Sequence, residues 1–256
     1  MRPVNPVHER FLLFSQPRCG STILMRVLNC HPSIRCADEP FNTDTTTLPD
    51  LEPVRSVGEL SAALDRVWSE YSGLKHVWHP AGWPFPQHSA LNRHLLLHAG
   101  CRVIFFTRRN VLQQVVSNEL ALQTRFFHVR ESDGRRRDSL HYRSLDQTRI
   151  RQCLANWPRR SAQLLGELKE AGVEYLELRY EDLYGPDEDR RGRRQAVLPV
   201  LDFLGRDFEG ADVEKIDRLL DPRESKVNSE RSYRRVPGIQ RIEEKFGSDD
   251  TGWLFR

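Results

Sequence analysis

Two short stretches hold residues suited to gripping an oxyanion. The first, Gln16-Pro17-Arg18-Cys19-Gly20-Ser21-Thr22, follows the apolar run FLLFSQ (11–16) and opens STILMRVLNC, which is apolar at helical spacing. Gly20 allows close backbone approach, Ser21 and Thr22 bring hydroxyls to a helix start, and Arg18 adds a forked cation. The second stretch is Arg108-Arg109 at the end of CRVIFFT, before a helix that carries Asn110, Gln114 and Ser117 on one face, at i, i+4 and i+7. At a rise of about 1.5 Å per residue, Ser117 lies roughly 10 Å along that helix. A long Arg side chain of this pair and the Ser117 hydroxyl are therefore placed to bracket a phosphate. Either stretch alone equally suits a structural turn or a solvated stripe. Two of them at the carboxyl ends of two strands point to a ligand, because open α/β sheets bind ligands there. The Gly-Lys-Ser/Thr ending of an ATP-binding loop is absent, Ser21 standing where the Lys belongs, which argues against phosphoryl transfer from ATP.

Both junctions need a sheet beneath them. The pattern predicts strands at 11–16, from Ile34 to Glu39 (ended by Pro40), at 73–78, through CRVIFFT and at 173–181. Between them lie helices opening at Ser21, over SVGELSAALDRVWSEY with its Ser–Glu capping pattern, and at 88–98, 110–127, 146–171 and 193–204. The expectation is one α/β domain over 1–256, a central parallel sheet flanked by helices, with a polar C-terminal loop or tail from about Pro222 to 256 that covers the ligand. Residues 42–55, 79–88 and 126–145 read as loops.

The composition narrows the class. The 256 residues are 38% hydrophobic and 29% charged, yet the net charge is only +3, so bulk polyanion binding is not implied. Only Lys75, Lys169, Lys215, Lys226 and Lys245 are lysines among 39 basic residues, so nearly all the positive charge sits on guanidinium forks. The arginine runs at 135–137 and 190–194 neighbour Asp133, Asp138, Glu188 and Asp189 and read as solvated loops, with no nucleic-acid partner expected. No apolar run is long enough for a transmembrane segment or a signal peptide, and the five cysteines form no CxxC pair, so a cytoplasmic protein is expected.

PRCGST before an apolar helix, then HPSI and DEPF, resembles the phosphosulfate loop of sulfotransferases that use 3′-phosphoadenosine 5′-phosphosulfate (PAPS). RRNVLQQVVS resembles their 3′-phosphate site, an Arg with a Ser eight positions later, here Arg109 and Ser117. LRYEDL (178–183) resembles the family's strand-ending Tyr-Glu-Asp-Leu. A Gln shortly before that Ser, together with EPF, looks most like the bacterial trehalose-sulfotransferase branch. The likeness spans about residues 11–41, 73–120 and 150–205. Cys19 departs from the usual Ser and Val111 from the usual Pro. The family's Arg-Lys-Gly run over the 3′-phosphate has no clear match, so Lys226, Arg231, Arg234 and Arg235 stay open for that place. The resemblance implies a P-loop-like sulfotransferase fold. It implies PAPS as co-substrate, released as 3′-phosphoadenosine 5′-phosphate, held by Pro17, Arg18, Cys19, Gly20, Ser21, Thr22, Arg109, Ser117 and Tyr180, with no metal expected.

Sulfuryl transfer needs a base for the acceptor proton and cations for charge building on the departing phosphate. Arg18 is the candidate cation. Glu39 leads as base, because Pro40 biases it to an extended backbone at the end of the second strand, and the resemblance gives the Glu of EPF the same role. His76 and His79 are rivals, in which case Lys75 assists the sulfonate. Trp78 and Trp83 are the better candidates of four tryptophans, with Trp68 and Trp157, to line a pocket for a small-molecule or glycan acceptor. A kinase with an atypical phosphate loop and a non-catalytic nucleotide- or RNA-binding protein remain alternatives, as do monomer and homodimer.

Overall fold

The computed structural model describes residues 9–42, 48, 50–127, 140–184, 190–221 and 230–255. The strand β1 (Phe11–Ser15) is buried along its whole length, which fixes it at the centre of the sheet. It pairs in parallel with β3 (Gly73–Val77) on one side and β4 (Arg102–Thr107) on the other. The edges are β2 (Cys36–Asp38), beside β3, and β5 (Tyr175–Arg179), beside β4, giving the all-parallel order β2-β3-β1-β4-β5. This is the single-domain α/β sheet that the alternation of strand and helix patterns predicts.

Strand period two divides the core. Phe11, Leu13, Ile104 and Phe106 face α1 (Ser21–Leu28), while Leu12, Phe14, Val103 and Phe105 face α2 (Val57–Trp68) and α3 (Ala90–His98). A fully buried Phe or Leu side chain contributes about 1.5–3 kcal/mol, so each face is strongly committed and a one-residue slip in register is excluded. The Ser56–Glu59 capping box forms as expected, Glu59 N–H donating to Ser56 Oγ at 3.2 Å and Ser56 N–H to Glu59 Oε2 at 3.1 Å. The second strand is shorter than expected, and the Asn29 side chain holds both backbone groups of its first residue, Cys36, at 2.7 and 3.1 Å.

Next come α4 (Val111–Thr124), α5 (Gln147–Glu170, capped by Asp146), the short α6 (Tyr180–Leu183) and α7 (Arg190–Phe203). An unanticipated helix, α8 (Val213–Leu220), buries Ile216 and Leu220. Where it is described, from residue 230, the expected polar tail is instead structured, with α9 (Glu230–Tyr233) and α10 (Ile239–Phe246). Tyr233, Val236, Ile239, Ile242 and Leu254 form a third core with α4 and α5, and the three- and four-residue spacing of Val236, Ile239, Ile242 and Phe246 is the reason. Lys226, the arginine run 135–137, and parts of the loops 42–55 and 126–145 lie outside the described residues. Among the described residues no helix is long and apolar enough to cross a membrane.

The order positions the site. The chain leaves β1 for the far edge at β2, returns through β3, then crosses to β4 on the other side of β1. Connections on the two sides of β1 therefore diverge, opening a crevice at its carboxyl end, where residues 16–20 lie.

Candidate active site

The turn after β1 is shaped by two left-handed residues, Arg18 (φ 64°) and Gly20 (φ 84°). Such alternation folds successive N–H groups toward one concavity, and α1 starts beside it with no side-chain cap on its first turn. Gly20 is required twice: its φ favours glycine, and a Cβ there would stand 2.9 Å from both Tyr180 Cδ2 and Tyr184 Cε2. The Tyr184 hydroxyl donates to Gly20 O at 3.2 Å. Below the turn, Gln114 Nε2 donates to Pro17 O (2.9 Å) and Cys19 Sγ (3.1 Å). Cys19 thus points beneath the loop, and burial pushes its thiol up to about 12, leaving it neutral.

Two guanidinium groups meet here. Arg18 Nε donates to Ser117 Oγ at 3.0 Å and its Nη1 to Phe127 O at 2.5 Å. Arg108 donates to Arg18 O (3.2 Å) and Gln113 Oε1 (2.6 Å) and lies 4.2 Å over the Tyr180 ring, while its Nε is buried without a partner. Among the described residues neither arginine has a carboxylate within ion-pair distance. Burial, with Arg108 adding to it and Tyr233 and Tyr180 opposing, brings Arg18 down to about 10; it still carries its charge at neutral pH.

The expected pairing of Arg109 with Ser117 is not what the structure contains. Arg109 is 64% exposed and leans toward Asp182 at 3.9 Å. Its backbone N–H and that of Asn110 donate to the Glu181 carboxylate at 2.9 and 3.0 Å, which ties α6 to the start of α4. Ser117 is buried against Arg18 instead, and Arg108, held by Gln113 and Tyr180, takes the inward place. Tyr180 and Ser117 are therefore gathered with Arg18, Gly20, Ser21 and Thr22, and Arg109 is not.

On the other side of the turn lies Lys75. It is fully buried, and its Nζ meets Thr22 Oγ1 (2.8 Å), Asp38 Oδ1 (2.6 Å) and Glu39 Oε1 (2.9 Å). Burial disfavours the ammonium, but Glu39 and Asp38 outweigh it and raise its pKa. Expected to assist a sulfonate, Lys75 instead has no exposed surface here, with three oxygens around its three N–H groups. Glu39 keeps 13% of its side chain exposed, and its Oε2 accepts from Asn42 Nδ2 at 2.9 Å. Its backbone is left-handed (φ 45°), not extended as the following Pro40 suggests. A closed turn overrides that bias: Glu39 N–H donates to Lys75 O (3.1 Å) and Asn42 N–H to Glu39 O (2.9 Å).

Neither histidine presents a free lone pair toward the turn. His76 is in the core between Phe14 and Phe85, at 5.6 and 5.7 Å, bonded to Asn92 Oδ1 at 2.7 Å, and burial brings it down to about 4. His79 Nδ1 accepts from Ala81 N–H at 3.0 Å, so in the neutral ring the proton sits on Nε2. Burial and then Arg149 lower its pKa, which keeps it in that neutral form. Trp68, Trp78 and Trp157 are buried core residues; Trp83 alone of the four is partly open.

The sequence pattern placed Arg108 at this strand end but singled out its neighbour Arg109, and it gave no role to Tyr233 or Gln113. Tyr233, buried on α9, is the first of the side chains opposing the loss of charge on Arg18. Gln113 holds Arg108 and, through Nε2, Trp253 O at 3.0 Å. Arg234 and Arg235 are committed elsewhere, to Glu230 and to Leu140 O. Compared with protein-family models and with curated proteins, the chain matches none.

Proposed function

We propose that this chain is a PAPS-dependent sulfotransferase. The observation that carries the reading is the pair Arg18 and Arg108, two guanidinium groups that among the described residues have no carboxylate within ion-pair distance, one with a buried unpaired N–H, at the turn that follows the central strand. A multi-oxygen anion supplies what that arrangement lacks. The resemblance of PRCGST, the Arg–Ser pair and YEDL to sulfotransferase motifs narrows the anion to a phosphosulfate.

In this reading Arg18, Arg108 and the N–H groups of Gly20, Ser21 and Thr22 hold the 5′-phosphate and stabilise it as it departs. The acceptor oxygen bonds to sulfur as the bond between sulfur and the bridging phosphate oxygen breaks. The acceptor proton passes to Glu39, and the desulfated nucleotide leaves. Glu39 suits the task because its carboxylate, 2.9 Å from Lys75 Nζ, is held in place yet partly open. The acceptor is a hydroxyl of a carbohydrate, glycolipid or small metabolite. Five free cysteines are in keeping with a cytoplasmic enzyme.

Calorimetric titration with 3′-phosphoadenosine 5′-phosphate tests the reading. A hydrogen bond to a charged group is worth about 1.5–3 kcal/mol, so Arg18→Ala and Arg108→Ala should each weaken binding roughly 10- to 100-fold, and Arg109→Ala by less than about threefold. With labelled PAPS and a panel of hydroxyl acceptors, Glu39→Gln should keep nucleotide binding and lose transfer. A wild-type chain that does not bind the nucleotide ends the proposal, and magnesium-dependent ATP turnover replaces it with a kinase.

A further inference from the structure

Lys75 is the most completely buried charge in the described part of the molecule, and the transfer scheme above leaves it unused. Its position follows from strand period two. On β3 it is paired with Leu13 of β1 and with Asp38 of β2, and it shares the α1 face with Leu13, while its neighbour His76 enters the opposite core. The ammonium therefore lies beneath the first turn of α1, in reach of three oxygens from three different segments: Thr22 Oγ1 at 2.8 Å, Asp38 Oδ1 at 2.6 Å and Glu39 Oε1 at 2.9 Å.

The donor count decides what this does. An ammonium has three N–H groups and no lone pair, so Thr22 Oγ1 must accept from it. A hydroxyl that accepts from Lys75 keeps its single hydrogen for another direction, and Thr22, half-buried, is the second residue of a helix whose first turn has no side-chain cap. The same ammonium holds the Glu39 carboxylate at the other end of its fork, on a residue whose left-handed φ of 45° runs against the preference imposed by Pro40. One cation with two carboxylates adds no net attraction for an anion, so its part is orientation rather than charge.

We infer that Lys75 is a positioning residue: it turns the Thr22 hydroxyl into a donor to the loop anion and, through the same ammonium, fixes Glu39 beside the loop. Donor to the leaving group and base for the acceptor are thereby set by one buried group. The assignment rests on the sulfotransferase reading for the meaning of Glu39, but its Thr22 arm needs only an anion in the loop.

The test uses the full chain with two probes, 3′-phosphoadenosine 5′-phosphate and pyrophosphate, the second requiring the loop alone. Thr22→Val and Lys75→Met should each weaken pyrophosphate about tenfold, the double variant should be no weaker than Lys75→Met alone, and Thr22→Ser should bind as wild type. A crystal structure of Lys75→Met should show the Glu39 carboxylate moved from its place beside Thr22, the main-chain turn around it being retained. Should that variant fail to fold, Asp38→Asn/Lys75→Met, with one carboxylate fewer to repel, takes its place. Lys75→Met binding as wild type, losses that multiply in the double variant, or Glu39 unmoved would each overturn the inference. If wild type binds pyrophosphate but not the nucleotide, the functional reading falls while the variant pattern still decides the role of Lys75. If it binds neither probe, both fall.

Discussion

Replacing Gly20 with alanine strikes the loop at its tightest point. Two costs follow from the geometry. A φ of 84° places an L residue in the left-handed region, at about 1–2 kcal/mol. The new methyl group also lands 2.9 Å from Tyr180 Cδ2 and Tyr184 Cε2, and overpacking of that kind costs about 1–3 kcal/mol. Together these reach about 2–5 kcal/mol, and at about 2–4 °C per kcal/mol for a chain of this size the melting temperature should fall by roughly 4–20 °C. Gly100 separates the two terms, since its φ is 62° and a Cβ there would meet nothing within 4 Å. Circular dichroism melts of wild type, Gly20→Ala and Gly100→Ala should rank in that descending order, with Gly20→Ala several degrees below Gly100→Ala. Gly20→Ala should also lose nucleotide binding, because the tyrosines can yield only by moving Tyr180 from beneath Arg108. If Gly20→Ala melts with Gly100→Ala or above it, the tyrosines do not press on the loop and the packing argument fails.

His76 should give the fold an acid sensitivity. Burial brings its pKa down from 6.5 to about 4. Above pH 6.5 neither state binds the proton and stability is complete, whereas below it the unfolded chain protonates and the native one does not. Stability should fall by up to about 3 kcal/mol as the pH drops from about 6.5 to 4. Urea unfolding across that window should show a shallower slope for His76→Gln, and an unchanged slope refutes the assignment. Cys19, buried and held near 12, should resist iodoacetamide in the native chain and react only on unfolding, as read by peptide mass spectrometry. Finding Cys19 as the first thiol modified would contradict its place under the loop.

The sheet was legible because its central strands β1 and β4 are apolar on both faces, and CRVIFFT could be nothing else in an alternating chain. The loop was legible for a different reason: Gly20, Ser21 and Thr22 sit where strand pattern gives way to helix pattern. Side-chain direction was harder. Arg108 and Arg109 are adjacent and chemically identical, and the choice between them is made by Gln113 and Tyr180, the second of them from a segment some 70 residues away. Glu39 shows the same limit, since a local preference set by Pro40 yields to a turn closed by Asn42 and Lys75. In the segment beyond 222 a signal was present, for Val236, Ile239, Ile242 and Phe246 recur at helical spacing, but charged residues between them hid it. Tyr233 went unseen with it.

The bond from Gln113 Nε2 to Trp253 O gives the molecule an order in time. Gln113 holds Arg108 with one end of its amide and the backbone of Trp253 with the other, across a separation of 140 residues. Asn110 Nδ2 donates to the same carbonyl at 2.7 Å, and a Cβ on Gly252 would collide with Asn110. On a ribosome that adds about 5–20 residues per second, 140 residues take roughly 7–28 seconds. All of β1 to β5 can emerge and pair in that interval, while Arg108 still lacks the support that aims it. The convergence of two like charges is thus deferred until a finished sheet can hold them, and a growing chain passes through its early folding without the electrostatic conflict that the completed site contains.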